Sequence, residues 1–186
     1  ATGIGGTGVI SQGAITGFGS IFVNGIRFET TNASLDIDDD SNALESSLRL
    51  CMVVTINGTI NADGTTGIAT SVVYDDDLEG PVTSAVTLNN DGTQIQFNIF
   101  NTPVIADIND TSFESTTFSS IATNDLLEVS GFFDASGNLR ATRIEGEGST
   151  ALNSSLVEIE GIIINAAGLT FEIDGVVITV DGTTDP

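Results

Sequence analysis

The chain has 186 residues, with 26 acidic side chains against four arginines, no lysine, no histidine and one cysteine, for a formal net charge of -22. Without histidine there is no Ser-His or Cys-His nucleophile pair and no ordinary zinc site; without lysine there is no Schiff base and no P-loop. A surface this acidic repels phosphate backbones, so nucleic acid is excluded as an expected partner.

Hydrophobic residues make up 40% of the chain and 21 residues are glycine. Valine, isoleucine and threonine recur without long helix-forming stretches, which is an all-β composition. No run reaches the roughly 18 apolar residues of a membrane helix. The low lysine content, the abundance of Asp, Thr, Ser and Gly, and a first residue that is not methionine lead us to expect an exported protein, extracellular or on the cell surface after signal cleavage.

Residues 1–11 (ATGIGGTGVIS) come first and read as an arm outside any complete unit, with Ile4, Val9 and Ile10 as apolar residues among glycines. A first unit follows over residues 12–77. It opens with GAITGFGSIFVNGIRFETT, a strand, a glycine-rich bend and a hairpin turning at Asn24-Gly25, since tight hairpin turns require positive φ. Ile26 and Phe28 alternate with Arg27 and Glu29, as on a half-buried strand. Residues 40–49 are polar with scattered apolar positions and predict a short helix. The unit closes on CMVVTINGTINADGTTGIATSVVYDDD, a hairpin about the turn NADGTTG.

The second unit, residues 78–148, repeats this plan. A strand, a turn at Asn90-Asp91-Gly92 and two more strands, turning at Asn101-Thr102-Pro103 in the place of Asn24-Gly25, are followed by a polar segment at 112–124, again predicted as short helix. The closing hairpin LLEVSGFFDASGNLRATRIEGEG resembles the first, and both carry Ala-Thr near the start of their second strand (Ala69-Thr70 and Ala141-Thr142). Five strands with one insertion predict a small five-stranded barrel of the OB type, whose closure lets so short a unit bury a core.

Residues 156–186 carry only the first part of the plan: a strand, a turn at Asn165–Gly168 and a hairpin with Asp174-Gly175 at its tip. The expected fold is thus all-β, tandem OB-like barrels with short helical insertions and an incomplete last unit. Ile162, Ile164, Phe171, Val177 and Val180 are expected to form the open apolar face of that unit.

The stretches GAITGFGSIFVNGIRFET (13–30) and LRLCMVVTING (48–58) resemble a domain family of unknown function found as tandem repeats in exported proteobacterial proteins, often behind a lipoprotein-type signal. The resemblance implies a secreted small-barrel repeat and transfers no catalytic residues.

Asp36, Asp38 and Asp40 share one face if 35–40 is extended, with Asp39 and Asn42 nearby, and are a candidate calcium site; Asp75, Asp76 and Asp77 form a second acidic run, and a solvated acidic rim is the alternative. The first run begins as D-x-D-x-D but has Ser41 and Ser47 where an EF-hand loop needs glycine and glutamate, so an EF-hand is rejected. No G-x-S-x-G elbow is present, and aromatic residues for sugar stacking are scarce, so no enzyme activity and no required cofactor are expected. Cys51 reads as a small buried hydrophobe, with an intersubunit disulfide as the alternative. Four N-x-[ST] triplets occur, at Asn32, Asn57, Asn109 and Asn153, and matter only where exported proteins are glycosylated.

Together these features lead to the expectation of an extracellular filament subunit that polymerises with itself head to tail. The arm (Ile4, Val9, Ile10) of one copy would enter the open third unit of the next. A monomeric exported module binding a glycan, a metal ion or a protein is the alternative.

Overall fold

The computed structural model describes residues 8–149, 163–173 and 176–180. The chain divides into two compact units between Asp76 and Asp77. The described residues are almost wholly strand and turn, with one turn of 3-10 helix at Glu45–Ser47. No helix among them is long and apolar enough to cross a membrane.

The first unit holds β1 (Val9–Gly17), β2 (Ile21–Val23), β3 (Ile26–Glu29), β4 (Ser34–Ile37), β5 (Val53–Ile60) and β6 (Thr66–Tyr74). Antiparallel pairings run β3-β2-β1-β5-β6, and a parallel pairing of β3 with β6 seals the circuit into a five-stranded barrel. The order 1-2-3-5-4 of the five barrel strands is the OB-like arrangement expected. Ile15, Ile21, Val23, Phe28, Val54, Ile56, Val72 and Tyr74 are fully buried inside it. Asn24 and Gly25 both take positive φ between the paired residues Val23 and Ile26, as the hairpin requires. The Asn24 amide also donates to the Gln12 carbonyl at 2.8 Å, tying the turn to β1.

The second unit repeats the circuit with β7 (Leu78–Pro81), β9 (Gln94–Ile99), β10 (Thr102–Asp107), β12 (Asp125–Phe133) and β13 (Leu139–Ser149), and adds a short β8 (Thr87–Leu88) on β9. β10 pairs with β13 in parallel, as β3 does with β6. Closure between the first and second barrel strands is reduced to a single bridge, Val82 to Ile99, beside a Thr83 N–H to Asn98 carbonyl bond of 2.8 Å. Phe97, Ile99, Val104, Leu127, Val129, Leu139 and Ile144 fill this second core.

The closing hairpins show why both copies carry a glycine opposite Ala-Thr. In β5–β6, Gly58 pairs with Ala69 and Asn57 with Ser71; in β12–β13, Gly131 pairs with Ala141 and Ser130 with Arg143. Thr70 and Thr142 are therefore the extra residues of two equivalent β-bulges. Their hydroxyls donate to the carbonyls of Asn57 and Ser130 at 3.0 and 3.2 Å. A Cβ on Gly58 would lie 2.2 Å from the Ile68 oxygen, and one on Gly131 2.3 Å from the Arg140 oxygen, so only glycine fits.

Three expectations are corrected. The insertions are not short helices: an additional strand is laid parallel on the edge of β6 or β13, β4 just before residues 40–49 and β11 (Ser112–Glu114) at the start of 112–124. The helical content of 40–49 is the one 3-10 turn, and 112–124 contains none. The β9–β10 turn is Phe100-Asn101, with Phe100 at φ 49°, rather than Asn101–Pro103; Thr102 and Pro103 already belong to β10. Finally, Val9 and Ile10 are not part of a free arm. They open β1 and pair with Gly58 and Asn57 of β5, so the first barrel begins before residue 12.

Beyond the second barrel, β14 (Ile163–Ala167), β15 (Thr170–Ile173) and β16 (Val176–Thr179) form a three-stranded antiparallel sheet, the incomplete third unit. Gly168 at φ 65° lies in the β14–β15 turn, between the paired residues Ala167 and Thr170, and Asn165 at φ 52° sits at the register shift within β14, between Ile164 and Ala167. β15 and β16 pair up to Ile173 and Val176; Asp174 and Gly175, the expected tip, lie outside the described residues.

Candidate functional site

Register assigns the faces of the third sheet. Ile163 pairs with Ile173, Ile173 with Val176, and Phe171 with Ile178, so these five apolar residues share one face. Ile164, Glu172 and Val177 pair on the opposite face, with Thr170 and Thr179. The five expected acceptor residues are therefore not one set. Phe171 is on the apolar face; Ile164 and Val177 flank Glu172 on the other. Val180 follows β16 and donates its N–H to the Leu169 carbonyl at 2.7 Å. Ile162 lies outside the described residues, as does Ile4 of the expected donor.

The same register occurs in the first barrel, where Ile15 pairs with Val23, Val23 with Ile26 and Ile21 with Phe28. Ile163, Phe171, Ile173, Val176 and Ile178 thus stand where Ile15, Ile21, Val23, Ile26 and Phe28 stand. In the barrel, Ile15, Ile21, Val23 and Phe28 are 0% exposed, covered by β5 and β6. In the third sheet no residue of the five is buried, and Ile163 is 57% exposed. An apolar barrel face is present among the described residues without the two strands that cover it in the first repeat. Sequence reasoning found the open unit but missed the face, because only paired register distinguishes Ile163 from Ile164 in a run of three isoleucines.

The acidic residues are arranged differently from the expectation. Asp36, Asp38 and Asp40 do not line one extended face: β4 ends at Ile37, Asp38 and Asp39 both take positive φ, and Ile37 bridges back to Asp40. The chain reverses there, so the alternation stops after Asp36. Asp38 and Asp40 are exposed, and the Asp40 carboxylate accepts the Asn42 N–H at 2.9 Å. Asp36 faces Val73 of β6 and keeps one carboxylate oxygen, Oδ1, buried without a hydrogen bond among the described residues. Asp75 is pushed up by burial and then by repulsion from Asp39 and Asp36.

The second barrel contains an acidic row that the sequence reading missed. Glu79, Glu128, Glu145 and Glu114 stand directly opposite one another across β7, β12, β13 and β11. Opposed like charges destabilise a sheet, and a buried Arg143 offsets part of the cost, donating to Glu114 and Glu145 at 2.6 and 2.5 Å. Carboxylate oxygens of Glu128, Glu145 and Glu147 lie within 4.8 Å of one another, a spacing that suits a hard cation with oxygen ligands. The Glu147 carboxyl is raised by burial, then by Glu145 and Glu128. These residues are far apart in sequence, so only strand pairing reveals the row.

Cys51 is half-buried rather than buried; it takes positive φ (69°) just before β5 and donates its N–H to the Ile15 carbonyl at 2.8 Å.

No curated protein and no solved structure matches the chain. A family model, described as a domain of unknown function (DUF5666), matches twice, over residues 7–73 and 79–145, coinciding with the two barrels. The first match includes Val9 and Ile10, as their pairing in β1 requires. The chain belongs to the DUF5666 family, in two tandem copies.

Proposed function

We propose that the chain is a structural subunit of an extracellular filament whose third sheet accepts β-structure from a neighbouring copy. One observation carries this reading: Ile163, Phe171, Ile173, Val176 and Ile178 form a face whose counterparts in the first barrel are four core residues and Ile26, packed against them. An apolar face that no described residue covers, with two strand edges unpaired among the described residues, is a template for strand addition. Donor and acceptor lie on different parts of one chain, so the contact is heterologous and propagates. Val9 and Ile10 are committed to β1, which leaves residues 1–7, with Ile4, as the donor.

The reading is structural rather than catalytic and needs no cofactor. Export and cell-surface location are part of it, supported by the composition; nucleic acid is opposed as a partner by the net charge of -22. Sedimentation velocity tests it. The full chain forms concentration-dependent polymers, while deletion of residues 1–7, or Ile173→Asp with Ile178→Asp, gives monomers with both barrels folded. Polymers that persist in both variants overturn the assignment.

A second reading, a monomeric exported module binding a glycan, a metal ion or a protein, is favoured by the Glu128–Glu145–Glu147 trio. It predicts a monomer whose second barrel melts at higher temperature in millimolar calcium, with the gain lost in Glu128→Gln.

A further inference from the structure

The triplets at Asn32, Asn57, Asn109 and Asn153 are alike in sequence, but the fold separates them. Asn57 sits within β5, paired with Ser71, and its amide donates to the Ser71 hydroxyl at 3.0 Å. Asn153 lies outside the described residues. Asn32 and Asn109 occupy the same place in the two repeats, the exposed turn that leads from the third barrel strand into the parallel edge strand. Asn32 is in the turn closed by the Ala33 N–H on the Thr30 carbonyl at 2.9 Å, and its side chain makes no hydrogen bond among the described residues. Asn109 is in the turn closed by the Thr111 N–H on the Asp107 carbonyl at 2.9 Å; its amide reaches only an exposed contact with Asp107 at 3.3 Å.

The strands that follow these turns are edges. Among the described residues the only strand that β4 pairs with is β6, and the only one that β11 pairs with is β13, so within them each leaves one row of backbone groups open to another chain. Exposed edges invite unwanted pairing unless something blunts them. A bulky, hydrated chain attached at the entry to each edge does this, and confines self-association to the third sheet.

We infer that Asn32 and Asn109 are N-glycan acceptors, modified by an oligosaccharyl transferase that uses a lipid-linked oligosaccharyl diphosphate. The asparagine Nδ2 forms a bond to C1 of the sugar. The C1–O bond to the diphosphate breaks, its electron pair leaves with the lipid diphosphate, and one amide proton is lost to a base of the transferase. The inference rests on the export part of the proposed function, since the transfer takes place on exported chains.

Glycopeptide mass spectrometry of the protein isolated from its source, with each cell fraction analysed separately, tests this independently of assembly. The expected result is glycan on peptides containing Asn32 and Asn109 and none on Asn57. In Asn32→Gln with Asn109→Gln, those masses disappear and lateral bundling increases at least several-fold by light scattering. Bare Asn32 and Asn109 on chains recovered from outside the cell overturn the inference while leaving the filament reading intact; chains found only inside the cell overturn the export reading as well.

Discussion

Arg143, 2% exposed, donates from one guanidinium nitrogen to Glu114 on the neighbouring strand at 2.6 Å and to Glu145 on its own strand at 2.5 Å. The equivalent bulge position in the first barrel is Ser71, and the acid equivalent to Glu114 is Asp36, which retains a buried oxygen without a hydrogen bond among the described residues. The repeats thus share a fold and a bulge but differ in how they neutralise the acid on the edge strand. Arg143 is buried while Glu114 and Glu145 keep 43% and 25% of their side chains exposed, so losing the guanidinium costs about the worth of a charged hydrogen bond, ~1.5–3 kcal/mol, rather than that of breaking a fully buried pair. Arg143→Ala is therefore expected to destabilise the second barrel by about that amount, with the first unchanged. Denaturant unfolding followed by NMR signals from each unit measures this; equal losses in both units contradict it.

The bulge glycines are expected to tolerate no side chain. Because a Cβ on Gly58 or Gly131 would meet a carbonyl oxygen of the paired strand, relief requires the hairpin to open. Gly58→Ala and Gly131→Ala each should cost about 2–4 kcal/mol, in the range of severe backbone and overpacking effects. Gly137→Ala, strained only by its φ of 81° with open space around it, should cost about 1–2 kcal/mol. Thermal melts of the three variants rank them.

Two carboxyls give opposite pH signatures. Burial pushes the Asp77 carboxyl up, against a Gly131 N–H that donates to it at 2.8 Å. Its folded form holds a proton at pH values where the unfolded chain has lost it. Ionisation therefore opposes folding, fully above the folded pKa and not at all below the unfolded one. Asp77→Asn keeps an acceptor for Gly131 and is expected to raise the melting temperature of the second unit at pH 7 but not at pH 3. A lower value at pH 7 would contradict this.

Asp134 is held down to about 2 by the Asn138 side chain and backbone, and by the Ser136 N–H and Arg140. Its contribution to the β12–β13 turn is present above the ordinary carboxyl pKa and is lost as pH falls toward 2. A carboxyl carbon titration by NMR should show its midpoint near 2, moving toward the ordinary value in Asn138→Ala.

Much of the barrel was legible because it is local. Asn24-Gly25, Asn61–Thr66 and Asp134–Asn138 announce hairpins through residues that accept positive φ or bond their own backbone. Asp63 accepts the Thr65 and Thr66 N–H groups, as Asp134 does those of Ser136 and Asn138. What was not legible is set by distant pairing. β4 and β11 are three- or four-residue strands that exist only because β6 and β13 offer an edge, and no periodicity marks them. Val9 and Ile10 looked like an arm because the glycines before them hide a strand start that β5 defines. The glutamate row likewise joins four strands, and no spacing along the chain records it.

The most direct test is a cryo-electron microscopy reconstruction of the purified chain at native concentration. The account predicts filaments in which β14 or β16 pairs with a strand from the next subunit, burying Ile163, Phe171, Ile173 and Ile178 as Ile15, Ile21, Val23 and Phe28 are buried in the first barrel, with Val176 packed against them as Ile26 is. Dispersed monomers, or filaments whose subunits leave that face and both edges uncovered, would contradict it.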